Sequence, residues 1–130
     1  FNQDISGWNT GLNTVFYGMF QNAAAFNRNI SGWNTSACTN MELMFNGATA
    51  FNQNLGSWNV ANVTAFANFM AGKTPATFSA ANLDAIYNGW ITVQSSKTIS
   101  FGTAKYSAAG VAGRAYLTGT KLWTITDGGI

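Results

Sequence analysis

The chain contains no histidine, which removes the side chain most often used as a general base or metal ligand near neutral pH. It has one cysteine, Cys38, so no disulfide can close within the chain and cysteine usage leaves the redox compartment open. Charge is almost as scarce. Six Lys or Arg and four Asp or Glu make up 8% of the 130 residues, against roughly 25% in ordinary soluble domains. The six bases (Arg28, Lys73, Lys97, Lys105, Arg114 and Lys121) form no run or stripe, so the electrostatic footprint of a nucleic-acid or anionic-membrane binder is missing. No run of 18 apolar residues is present to cross a bilayer as a helix. Proline occurs once, at Pro75.

The remaining chemistry is thin. The acids Asp4, Glu42, Asp84 and Asp127 are dispersed, and Asp4 is replaced by Asn29 and Asn54 at the equivalent positions of later repeats. Cys38 shares its column with Val63, which favours a buried apolar thiol over a nucleophile. No phosphate loop, metal-ligand cluster or dinucleotide fingerprint occurs. The expectation is therefore no catalytic, cofactor-binding or metal residue, no cofactor, and no enzyme.

What the chain has instead is a sentence said three times. Phe-Asn-Gln-Asp-Ile-Ser-Gly-Trp-Asn-Thr fills residues 1–10, and near-copies start at Phe26 and Phe51. Phe1, Phe26 and Phe51 form one column at a spacing of 25, Trp8, Trp33 and Trp58 a second, and Asn9, Asn34 and Asn59 a third. A fixed period of this size is the signature of stacked repeats. With 47% hydrophobic residues and 15% aromatics, such a chain can build a real core. Low charge leaves the polar surface to Asn, Thr, Ser and Gln, which favours an extracellular or structural protein.

Within each repeat the first ten residues read as a strand ending at a Ser-Gly turn. The column Gln3, Arg28 and Gln53 interrupts strict alternation and leaves a short strand or a bulge as alternatives. The second half reads as a short helix. Thr14, Thr39 and Thr64 stand as N-caps, and Phe16, Met19, Phe20 and Ala23 follow at i, i+3, i+4 and i+7. Asn2, Asn27 and Asn52, with Asn9, Asn34 and Asn59, suggest side-chain amide ladders between coils.

The expected fold is an α/β solenoid, a leucine-rich-repeat-like right-handed coil with a parallel β-ladder, short helices and a C-terminal cap. Three repeats (1–25, 26–50 and 51–75) occupy residues 1–75. The period fails at Lys73-Thr74-Pro75, and residues 76–130 read as one degenerate capping coil with the order helix, strand, helix, strand. Ser79 caps the first of these helices, which ends near Gly89. Thr98–Phe101 is a strand, Ser107 caps a second helix, and Trp123-Thr124-Ile125 is a last strand.

The repeated phrase, followed by Thr64-Ala65-Phe66-Ala67-Asn68-Phe69-Met70, resembles the 25–26-residue repeats of BspA-like bacterial surface proteins, relatives of the leucine-rich repeats. The resemblance covers about residues 1–72, and the tail from Leu83 to Gly129 is similar to segments that close such arrays. It implies an extracellular location and a role in adhesion or surface structure. The family often has Asp after the tryptophan, where this chain has Asn9, Asn34 and Asn59. Asn13 and Cys38 stand where Val63 shows the more usual apolar residue.

Two functions follow as expectations. The first is a non-enzymatic extracellular or cell-surface module that recognises glycan or protein surfaces through Asn2, Asp4, Asn27, Asn29, Asn52 and Asn54. The alternative is a structural subunit of a surface filament, a surface layer, or a phage or virus particle. Neither involves nucleic acid or membrane insertion. Because Phe1 opens inside a repeat motif, the N-terminal side is expected to continue into further repeats or to stack on a neighbouring subunit.

Overall fold

Successive 25-residue segments lie on one another in register along the chain's first 75 residues. The computed structural model describes all of residues 1–130. The amides of Phe16, Gly18, Phe20 and Asn22 donate to the carbonyls of Asn40, Glu42, Met44 and Asn46 at 2.8–2.9 Å. Those of Met41, Leu43 and Phe45 repeat the pattern onto Ala65, Ala67 and Phe69 at 2.9–3.0 Å. Parallel bridges Val15–Asn40 and Asn40–Ala65 mark the same line.

The backbone ladder therefore runs through the half of each repeat expected to be helical, and that expectation is corrected. The remaining amides of this half close turns instead: Met19 onto Phe16, Gln21 onto Gly18 and Ala23 onto Phe20. Each turn needs a left-handed residue, supplied at φ 56–59° by Gly18, Leu43 and Asn68 and again at φ 60–93° by Asn22, Gly47 and Gly72. An α-helix cannot hold a positive φ every fourth residue. A chain of linked turns puts side chains four apart on one side, so it reproduces the apolar spacing of a helix. Thr39 and Thr64 are not N-caps; their hydroxyls donate to the Thr14 and Thr39 carbonyls one coil back.

The expected strand in the first ten residues is likewise absent, and there the coils join through side chains. The Asn2 amide oxygen accepts from the Asn27 N–H at 3.0 Å, and that of Asn27 accepts from the Asn52 N–H at 2.8 Å. Arg28 and Gln53 reach back to the Asn2 and Asn27 carbonyls, which explains their polar column. The second Asn column works differently. Asn9, Asn34 and Asn59 each accept from the amide two residues on, within their own coil. That is an Asx turn rather than a ladder.

The core lies between these two halves. Phe1 stacks on Phe26 and Phe26 on Phe51, with ring centroids 5.7 and 5.8 Å apart. The Trp33 and Trp58 indoles donate to the Ile5 and Ile30 carbonyls at 3.1 Å, so each tryptophan bolts its coil to the one before. Cys38 is fully buried and free, and burial pushes its thiol pKa up.

Residues 76–130 hold helix α1 (Ala80–Gly89), strand β1 (Thr98–Ser100), helix α2 (Val111–Ala115) and strand β2 (Thr124–Thr126). Ser79 accepts from the Asn82 amide as the α1 cap, and Ser107 caps a 3₁₀ turn that leads into α2. The tail is two turns of chain rather than one. Strand β1 lies beside the third repeat through a Phe66–Ile99 bridge and a bond from the Met70 amide to the Ser100 carbonyl. Strand β2 then pairs parallel to β1, Thr98 against Thr124. Trp90, directly after α1, donates to the Leu55 carbonyl at 3.0 Å and continues the tryptophan column at a spacing of 32 instead of 25.

Candidate functional site

The expected binding residues separate into two groups. Asn2, Asn27 and Asn52 are joints between coils; Asn52 also accepts from the Ser79 amide at 3.0 Å and from the Asn82 side chain at 2.8 Å, where the tail docks. Asp4, Asn29 and Asn54 are exposed, and each accepts from the amide two residues on: Ser6 at 3.0 Å, Ser31 at 3.0 Å and Gly56 at 2.8 Å. The Ser6 amide, and then the Ser6 hydroxyl, hold the Asp4 carboxyl below its ordinary pKa. Each side chain in this row is thus fixed at its Oδ1 end. Asn29 and Asn54 keep an Nδ2 donor directed at solvent.

Only the last residue of that row lines a cleft. An open cleft of about 510 Å³ lies where α1 meets the third repeat, with Ser31, Asn54 and Ser57 on the repeat side and Asn88 on the helix side. Its floor is a glycine contact. A Cβ on Gly56 would overlap the Ala85 carbonyl, and one on Gly89 would overlap the Gly56 carbonyl. The first two repeats read Ile-Ser-Gly-Trp, whereas the third reads Leu55-Gly56-Ser57-Trp58. That inversion lets α1 approach, and it is the one signal in the sequence that marks the cleft. Asn88, on the far wall, gives no such signal. Its Nδ2 donates to the Ala109 carbonyl at 2.9 Å and its Oδ1 lies against Gly113 of α2, so the amide faces the tail.

The other concentration of polar groups is internal. Asp127 accepts from the Tyr87 hydroxyl at 2.5 Å, from Arg114 Nε at 2.8 Å and from the Gly129 amide at 3.1 Å, while Arg114 lies over the Tyr106 ring. Burial pushes the Asp127 carboxyl up, but the bonds from Arg114 and Tyr87 outweigh it and hold the pKa below the ordinary value. Burial and the Asp127 charge both raise the Tyr87 pKa. These groups tie α1, α2 and the end of β2 together, so they serve the fold.

The end face of the first coil differs from the sides. Phe1 and Trp8 are 61% and 55% exposed, whereas Phe26 and Trp33 in the same columns are 0% and 4%. Val15 and Tyr17 are exposed beside them, and their carbonyls occupy the positions that, one coil later, accept from the coil before.

No group of three or more His, Cys, Asp or Glu side chains stands close enough to hold a metal ion, and no helix is long and apolar enough to cross a membrane. Residues 1–85 match the model of a family described as "Mycoplasma protein of unknown function, DUF285". The match spans the three repeats and the start of α1. No curated protein and no solved structure matches the chain.

Proposed function

The chain belongs to the DUF285 family, and from its surface chemistry we propose a non-enzymatic module, extracellular or at the cell surface, that recognises glycan or protein surfaces. Membership in this repeat family is consistent with a surface protein. The observation that carries the reading is the row Asp4, Asn29 and Asn54: exposed, almost uncharged, and fixed by backbone bonds so that its free groups point to solvent in register. Stacked repeats are built to offer such extended faces, and their regular spacing supports a leucine-rich-repeat-like solenoid as the scaffold. Binding of the intact protein to glycan arrays, matrix proteins and whole cells tests it. Saturable binding to any of these supports the reading; blank results on all three overturn it.

The stacking itself favours a second reading, a structural subunit of a surface filament, a surface layer, or a phage or virus particle, because each coil offers the next the same Phe and Trp columns. Phe1 and Trp8 are the exposed members of those columns, on the outer face of residues 1–25. Sedimentation across a range of concentrations tests it. Self-association that Trp8→Lys abolishes supports stacking through this face, whereas a monomer at every concentration speaks against it.

A further inference from the structure

We propose that Asn46 is a site of spontaneous modification, where the Gly47 amide nitrogen attacks the Asn46 side chain and water is the only co-reactant. This chemistry is independent of the recognition reading above.

Asparagine followed by glycine occurs twice in the chain, at Asn46-Gly47 and Asn88-Gly89. Glycine has no Cβ to shield its nitrogen, so the two pairs share one intrinsic reactivity. The fold separates them. The ladder from the second coil to the third donates from Met41, Leu43 and Phe45. A fourth rung, which Asn22 makes onto the Asn46 carbonyl one coil earlier, would fall to the Gly47 amide, and it is missing. The Gly47 N–H therefore donates to no carbonyl. Side-chain bonds in this coil run from Asn40 and Thr49 and to Glu42, and none uses the Asn46 amide.

Asn88 is the more exposed of the two, yet its reacting groups are held. Its Nδ2 donates to the Ala109 carbonyl, and its Oδ1 lies against Gly113. The bonding of α1 runs past Gly89 to the Trp90 amide on the Ile86 carbonyl, so the Gly89 N–H is spent in the helix. Gly89 also packs on the Gly56 carbonyl. Ring closure at Asn88 must unwind the last turn of α1 and lift it from the third repeat. At Asn46 it opens one rung, the bond from the Asn22 amide.

The step needs no other reagent. Gly47 N bonds to Asn46 Cγ and gives its proton to water, and the Cγ–Nδ2 bond breaks with release of ammonia. Water then opens the cyclic imide at either carbonyl, leaving aspartate or isoaspartate. The isoaspartate route carries the main chain through Cβ and Cγ and so lengthens it by a methylene. Ala48 lies two residues on, and its carbonyl accepts from Lys73 Nζ. Lengthening the chain there displaces one wall of the lysine's cage.

Incubation of the intact protein in mildly alkaline buffer, then peptide mapping for aspartate and isoaspartate, tests this. In the folded protein Asn46 should convert at least about tenfold faster than Asn88, because local opening is far more frequent than the release of a packed helix. In concentrated urea the two should convert at similar rates. Gly47 is a poor position to alter, since its φ is 76° and a Cβ would meet Asn22 Oδ1. Asn46→Gln instead restores the residue of the first repeat, Gln21. It should abolish conversion of the folded protein, whereas Asn88→Gln should leave it unchanged. Converted protein, isolated by ion exchange, should show a lower urea midpoint, and an unchanged midpoint overturns the link to Lys73. Asn88 converting as fast as Asn46 in the folded state is the order that exposure alone gives, and it overturns the site. So does an Asn46 that stays intact in the folded protein, or a conversion that survives Asn46→Gln.

Discussion

Lys73 carries an ammonium into the interior because Pro75 has no N–H to give. One repeat earlier, the Ala50 amide donates to the Ala24 carbonyl. The equivalent donor in the third repeat would be residue 75, a proline, which cannot make that bond. Lys73 Nζ fills the place, donating to the Ala48, Thr49 and Phe51 carbonyls at 2.5, 3.3 and 2.6 Å. The residue is 3% exposed, and burial lowers its pKa from 10.5 to about 8. Between those values the unfolded chain holds the proton more tightly than the folded one. Stability should therefore rise as pH climbs from about 8 toward 10.5, and below 8 the cost of the buried charge is paid in full. Urea midpoints at pH 7.5 and 9.5 read this slope, and Lys73→Met should abolish it. At pH 7.5 the same variant should lose about 1–3 kcal/mol, because the carbonyls left unpaired outweigh the relief of burying no charge.

The docking of α1 depends on backbones touching at Gly56 and Gly89, then on Trp90 reaching the Leu55 carbonyl. Gly56→Ser, which puts back the serine that the first two repeats carry at this position, should push the Ala85 carbonyl away and cost about 1–3 kcal/mol, as overpacking does. Gly32→Ala should stay within about 0.5 kcal/mol, because nothing stands within 4 Å of a Cβ there. Thermal melts of the two variants side by side decide the point. The last elements are held by Asp127, whose folded pKa lies below the ordinary 3.8. Its bonds to Arg114 and Tyr87 stabilise the fold above that value and are lost as pH falls below it. Acid titration followed by near-ultraviolet circular dichroism should show wild type losing stability below about pH 4. Asp127→Asn should start less stable at pH 7 and lose less over the same range.

At the scale of the whole molecule, the three repeats do not close their own core. Phe66, Phe69 and Leu55 are buried against Trp90, Phe101 and Trp123 from the tail. Cutting after Pro75 should uncover that side and also strip the bond from the Met70 amide to Ser100. The 1–75 fragment is expected to aggregate or to melt without cooperativity, since about three repeats is the minimum for such stacks. A soluble fragment with a sharp calorimetric transition would show that residues 76–130 are an appendage. The two open regions lie apart on this scheme. The cleft sits at the junction of repeat and tail, and the exposed Phe1 and Trp8 lie at the opposite end of the three repeats. Recognition and stacking can therefore be tested independently.

The 25-residue period, the Phe and Trp columns and the helix start at Ser79 were legible in the sequence, because each rests on spacing or on a local cap. The Asn2, Asn27 and Asn52 ladder was legible for the same reason. Which half of each repeat carries the backbone ladder was not. A chain of turns with left-handed residues at 18 and 22 gives the same apolar spacing as a helix, and only hydrogen bonds to the next coil distinguish them. Leu43 hides the pattern further, since a leucine at φ 57° stands where Gly18 and Asn68 would have signalled a turn. Trp90 escaped because its column spacing stretches from 25 to 32 when α1 replaces a turn. The walls of the cleft could not be paired from sequence for a similar reason: Asn88 lies 34 residues beyond Asn54, in a tail that breaks the period. Local sequence determined the repeats; the approach of one glycine to another, Gly56 to Gly89, decided where the surface opens.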